Sequence, residues 1–327
     1  MNHSIKHNIF YNSFLEEITK KIPQKVSVVN ILADILCIGK EAVYRRLRGE
    51  VPFTFYEAIT ISRQLGISLD HLELPNTPMS KPLKLNLIEY INPVKSDFAL
   101  MDELTTILKS FKDFQDPEAG EITNILPQPL YVSYEHVFRF YLFKWKYHSN
   151  KLSPTIPYKD IVILDKLQKS LEEFVYWAKR LHANYIFDHQ LFQYIVSNVK
   201  YFRSIGLVTC EEVQLIKYDL FRILDEIDYL TRTGAFKETG KKVNIYISNV
   251  SIDNNYIYVS APDFQLTIIK AFLLNGIAST DKSIYEEVRQ WVHSMKRQST
   301  LITGSGEKDR ICFLEEQHKI IDSLSQL

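Results

Sequence analysis

A chain of 327 residues, 46% hydrophobic and 24% charged, has the balance of an ordinary globular protein and room for two folded domains. Its 39 Lys and Arg are matched by 39 Asp and Glu, which excludes a global basic field, so any attraction to nucleic acid has to be local. Cys37, Cys210 and Cys312 are too few and too scattered for a disulfide framework or a zinc site, and no window approaches the roughly 18 apolar residues of a membrane span. The opening "MNHSIKHNIF" has no signal-peptide apolar run, and free thiols fit a reducing compartment, so the expected location is the cytoplasm.

In chain order, residues 8–73 read as five short helices. Phe10, Phe14 and Ile18 form a stripe at spacing four over 8–21, and Pro23 ends that helix. An apolar helix follows over 28–36, then a turn, then the basic helix "KEAVYRRLR" at 40–48. A fourth helix over 55–65 opens on a capping box, Thr54 with Glu57, and stops at Gly66. Ser68 is placed to cap a last short helix through Leu72.

The segment "PNTPMSKP" at 75–82 reads as a linker, and Leu83, Leu85 and Leu87 beyond it alternate with polar residues like a short strand. The expected domains are therefore 1–74, a linker over 75–96, and 97–327. With only 10 Gly and 12 Pro in the chain, the third region reads as helices over 97–114, 131–148, 158–182, 188–204, 210–232, 262–276, 283–298 and 306–324. The interruption is "VNIYISNVSIDNNYIYVS" at 243–260, rich in Ile, Val and Tyr around Asp253-Asn254-Asn255, which predicts a β-hairpin, with 83–87 as a third strand. The expected fold class is mainly α, a five-helix N-terminal domain followed by a large helical domain with one hairpin.

The second and third helices, "VNILADILCIGKEAVYRRLRG", fit a helix-turn-helix. Ala33 is small where two helices meet, Ile38 fills the turn, and Val43 with Leu47 points inward at spacing four. At 100° per residue, Glu41, Tyr44, Arg45 and Arg48 then face outward, flanked by Lys40 and Arg46. Charge alone argues little, because residues 1–75 hold nine Lys and Arg against eight Asp and Glu.

Together with Gly49, Pro52, Ala58, Leu65, Gly66, Ile67 and Ser68, the run 28–72 resembles the lambda-repressor/Cro-like (Xre-type) helix-turn-helix domain. That resemblance implies binding to double-stranded DNA, with Glu41, Tyr44, Arg45 and Arg48 towards bases and Lys40, Thr54 and Tyr56 near phosphates; Arg46 sits beside them. Two positions depart from the pattern. Cys37 stands where the family's turn usually has Gly, so the turn has to accept a side chain or use Gly39. Leu47 is one residue later than the usual inward anchor.

The remainder of the chain is similar to the long helical regions that follow an Xre-type domain in a group of bacterial regulators. That resemblance gives architecture and no chemistry; the length of the region, its many aromatics and the hairpin suit a module that homodimerises and takes a small-molecule or peptide effector. Other motifs carry less. "FRFYLFKWKYHSN" at 138–150 interleaves aromatics with basic residues, but Phe138, Tyr141 and Trp145, with Tyr134 just before them, follow core spacing. "TGSGEKDR" at 303–310 lacks phosphate-loop spacing and reads as a helix start capped by Ser305. The nine histidines form no metal-ligand or catalytic set, so no catalytic residue, cofactor or metal is expected and an enzyme is disfavoured. The expected function is a sequence-specific transcriptional regulator; the alternative is a protein- or peptide-binding helical scaffold with a vestigial helix-turn-helix.

Overall fold

The computed structural model describes residues 9–22, 27–67, 69, 72, 86–88, 97–114, 116–149, 156–262, 264–270 and 276–326. The chain divides into two compact units, 1–83 and 84–327.

Among the described residues of the first unit four helices follow one another: α1 (Ile9–Lys21), α2 (Val28–Leu36), α3 (Lys40–Leu47) and α4 (Phe55–Leu65). Each contributes to one small core of Phe14, Ile18, Leu32, Ala33, Val43, Phe53 and Ile61. Phe14 and Ile18 point inward as their spacing requires, whereas Phe10, one turn earlier, is half-exposed. The capping box at α4 is formed in both directions: Glu57 N–H donates to Thr54 Oγ1 at 3.2 Å and Thr54 N–H to Glu57 Oε2 at 2.8 Å. Gly66 ends the helix at φ +65°, a left-handed conformation that costs glycine nothing. Pro23, Ser68 and the linker 75–82 lie outside the described residues; of the fifth helix, the N–H of Leu72 donates to the carbonyl of Leu69 at 3.1 Å.

The second unit corrects the expected fold class. It holds eight helices among the described residues, α5 (Asp97–Ser110), α6 (Gln128–Tyr131), α7 (Glu135–Ser149), α8 (Asp165–Ala178), α9 (Gln193–Ser204), α10 (Cys210–Thr233), α11 (Lys282–Arg297) and α12 (Glu307–Asp322). Among the described residues they surround one mixed sheet of eight strands, in place of the expected single hairpin. The strands are β1 (Asn86–Ile88), β2 (Glu118–Thr123), β3 (His182–Phe187), β4 (Val243–Ser248), β5 (Tyr256–Ala261), β6 (Phe264–Lys270), β7 (Gly276–Ser279) and β8 (Ser299–Leu301), in the order β1-β7-β6-β5-β2-β3-β4-β8. The middle of the sheet is parallel, β2 to β3 to β4, with Glu118 beside His182 and Asn184 beside Asn244; all other pairings are antiparallel.

The hairpin expected over 243–260 does not exist as a pair. Its two strands form where the Ile, Val and Tyr runs place them, but β2 and β3 lie between them. The connection is drawn inward instead: Ile252 is buried, and its N–H donates to Asp188 Oδ2 at 2.8 Å. Residues 262–276, expected as a helix, contain β6 and the start of β7, and β1 pairs with β7.

Alternation along the strands splits the sheet into two faces. Ala119, Glu121, Tyr185 and Val259 share the face covered by α5, α7, α8 and α10, where Phe140, Phe143, Ile216 and Leu220 fill the largest core. Gly120, Ile122, Ile186 and Tyr258 share the other, covered by α11 through Ile284, Tyr285, Val288, Val292 and Met295. The aromatic stretch at 138–150 is core, with Phe138, Tyr141 and Trp145 buried. The glycine turn after β8 is a structural joint. Thr303 Oγ1 accepts from Ile245 N–H at 2.8 Å, Gly304 N–H donates to Thr231 O at 3.0 Å, and Gly306 at φ +65°, rather than Ser305, caps α12.

Candidate nucleic-acid interface

Val43, fully buried, and Leu47, packed against the same core, seat α3 on α2 and α4 and settle which way its other side chains point. Ala33 is buried on α2 and Ile38 is partly buried in the turn, so the two helices pack as their small and apolar residues dictate. With that register, Lys40, Glu41, Tyr44 and Arg45 on this helix of eight residues and Arg48 at its C-cap are exposed.

The turn resolves the first departure from the family pattern. Cys37 itself adopts the left-handed conformation, φ +53°, and its N–H bonds the carbonyl of Ala33; Gly39 has φ −66° and precedes α3 in extended backbone. A side chain in that conformation costs about 1–2 kcal/mol. Replacing Cys37 by Gly removes this strain but adds freedom to the unfolded chain, worth about 0.4–1 kcal/mol. The expected net result for Cys37→Gly is a first unit more stable by about 0–1.6 kcal/mol, read from amide exchange over α2 and α3. A loss of protection there would refute the account.

Arg46 has partners within the unit that helical spacing does not reveal. Its guanidinium turns away from the outward face and grips Glu57 of α4 with two parallel bonds, Nε to Oε2 at 3.0 Å and Nη2 to Oε1 at 2.8 Å. A third bond goes to the carbonyl of Ala42 at 3.1 Å, and the two side chains are only 16% and 12% exposed. Burial raises the Glu57 pKa, but hydrogen bonds from Arg46 and the Thr54 backbone outweigh it and hold the carboxyl below its usual range. Arg46 therefore braces α3 against α4. From α1, Tyr11 adds a second brace, donating to the carbonyl of Arg46 at 2.9 Å and accepting from Phe53 N–H at 3.3 Å.

The outward cations are paired only loosely. Arg48 lies 3.4 Å from Glu41 and 3.2 Å from Glu50, and Arg45 lies 3.7 Å from Glu50, all with largely exposed side chains. Exposed pairs of this kind contribute about 0–1 kcal/mol and exchange readily for another anion. Three cations against two carboxylates leave this face with one net positive charge.

Thr54 and Tyr56 lie at the start of α4. The Thr54 hydroxyl is committed as acceptor in the cap, while Tyr56 is 79% exposed. Phe55 beside it is 78% exposed and was not singled out from sequence. The capping box carried the signal: a ring at the first helical position precedes the residues that turn inward.

Among the described residues no three His, Cys, Asp or Glu side chains cluster as metal ligands, and no helix is long and apolar enough to cross a membrane. Cys37, Cys210 and Cys312 are exposed and unbridged.

No family model matches this chain, and no curated protein matches it. Among solved structures the chain is similar to TrmBL2, an archaeal chromatin protein described as showing a novel mode of DNA binding. That alignment covers 88% of this chain and 81% of the other at 9% identity, with a TM-score of 0.26. A likeness that slight carries no argument.

Proposed function

We propose that this chain is a sequence-specific DNA-binding transcriptional regulator of the Xre type, with α3 as the helix that enters the major groove. The observation behind this reading is the mounting of α3. A short helix is held by Val43, Leu47 and the Arg46–Glu57 pair while Tyr44, Arg45 and Arg48 stand outward together. Arginine offers bidentate donors to guanine, and Glu41 can accept from cytosine, so the face carries the chemistry of base reading. In this reading Lys40, at the first turn, and the exposed Tyr56 meet the phosphates that flank a groove-bound helix.

One net charge on the face supports few phosphate contacts, so tight binding calls for two copies on a two-fold site. In this reading the second unit supplies dimerisation and responds to an effector.

Selection from a random double-stranded DNA library tests the proposal. Wild type is expected to enrich a two-fold motif. Arg45→Ala is expected to cost about 1–3 kcal/mol and to relax one position per half-site, while Lys40→Ala weakens all sequences alike and lowers the salt slope by about one. Enrichment of no sequence by wild type would refute the reading and leave the protein- or peptide-binding alternative.

A further inference from the structure

In the second unit the sheet face bearing Ala119 and Val259 is not completely closed by α5 and α8. A cavity of about 130 Å³ remains between them. Its walls are almost wholly apolar, with Leu104 and Leu108 from α5, Phe174 from α8, and Tyr185, Val259 and Leu266 from the sheet. Among the described residues one charged side chain, that of Glu121 of β2, joins this lining, and it is 7% exposed. Its Oε1 accepts from Lys270 Nζ of β6 at 2.8 Å, and that lysine is itself 17% exposed.

Size and charge together select a ligand. An apolar cavity of about 150 Å³ accepts a single benzene ring, so this one suits a monocyclic molecule of six to eight heavy atoms. The Glu121–Lys270 pair is neutral as a whole. A cation or anion entering beside it would lose its hydration with no opposite charge left to compensate, a cost of several kcal/mol. A neutral donor meets no such cost, and a carboxylate oxygen holds more than one lone pair for it. Phenols, ionising near pH 10, are neutral donors at pH 7.

We propose that this cavity binds a small neutral ring alcohol of phenol size, its ring among Leu104, Leu108 and Phe174 and its hydroxyl donating to Glu121. The proposal is independent of DNA reading, since occupancy is measured on the cavity itself.

The test uses the full chain and four probes, phenol, toluene, benzylamine and benzoate, followed by calorimetry and by the shift in thermal unfolding. Phenol is expected to bind saturably and about tenfold more tightly than toluene, the factor corresponding to one hydrogen bond to a charged group. Protonated benzylamine and benzoate are expected not to bind. Ala178→Leu and Ala119→Val, each adding volume at the wall, are expected to abolish phenol uptake, and either variant suffices provided its unfolding remains cooperative. Binding of toluene as tight as phenol, binding of either charged probe, uptake undiminished in a folded filled variant, or no saturable binding of phenol to wild type would each overturn the proposal.

Discussion

Gly120→Ala is expected to destabilise the second unit by about 3 kcal/mol, at the upper end of what overpacking a well-filled core costs. Gly120 sits on β2 directly opposite Tyr258 of β5, and the tyrosine ring lies across the space where a Cβ would stand. An added methyl would be 2.5 Å from Tyr258 Cζ and 2.8 Å from its hydroxyl oxygen, well inside van der Waals contact. The ring has nowhere to go. It is 2% exposed, its hydroxyl bonds the Glu118 carboxylate, and it meets Tyr285 of α11 edge-on at 6.1 Å. Moving it loosens the seat of α11 on the sheet. For a unit of this size the change corresponds to a melting temperature lower by roughly 6–12 °C.

The readout is selective, because Trp145, Trp177 and Trp291 all lie in the second unit and none in the first. Tryptophan fluorescence followed through thermal unfolding therefore reports this unit alone. In a Tyr258→Ala background the added methyl has room, so the two substitutions together should cost about 1–3 kcal/mol less than their sum. Wild-type melting in Gly120→Ala, or strict additivity, would show that the ring is not what requires glycine.

Glu57→Gln should weaken the first unit by roughly 2–3 kcal/mol at neutral pH, the range for a lost charge-assisted hydrogen bond that leaves its partner mostly buried. The same carboxylate caps α4 through Thr54 N–H and takes both arms of Arg46, so one substitution loosens two helices. The sign with pH follows from the depressed pKa of Glu57 in the folded state. The stabilisation is complete above the unfolded value, about 4.3, and is lost as pH falls through the lower folded value. Wild type should lose amide-exchange protection in α3 and α4 over that acidic range, and Glu57→Gln should begin lower at pH 7 and change less. Parallel pH profiles would remove Glu57 from the account. Under the proposed DNA reading, the motif selected by wild type should be lost in this variant, because α3 is no longer held at a fixed angle.

The first unit was largely legible because its signals are local. Thr54 and Glu57 are three residues apart, Val43 and Leu47 four, and Gly66 follows its helix directly, so each is decided within a turn or two of chain. The partner of Arg46 was illegible for the opposite reason. Helical periodicity places Arg46 at the flank, but only the approach of α4 brings Glu57 to it. Phe10 extended a stripe that the core did not need. The exposed Phe55 could have been placed from the capping box, which fixes the first helical position.

The second unit was legible element by element and illegible as a fold. β4 and β5 are rich in Ile, Val and Tyr and read as strands. Their pairing was misassigned because a turn signal between two strands is blind to strands inserted from elsewhere. β2, "EAGEIT", has two glutamates and a glycine, and β3, "HANYIF", is buried along nearly its whole length, so neither alternates. Parallel strands in the middle of a sheet bury both faces and lose the period of two that marks an edge or half-exposed strand. Only assembly shows why Gly120 is glycine and where Glu121 meets Lys270.

The sequence by itself determined the helices of the first unit, their caps and the inward pair of α3, because propensity, capping and amphipathic spacing act over a few residues. Tertiary structure alone decided the eight-stranded sheet, the bracing of Arg46 and the cavity beside Glu121. Each of those depends on groups that meet only when segments distant in sequence pack together, and their mutual burial is an energy no short window contains.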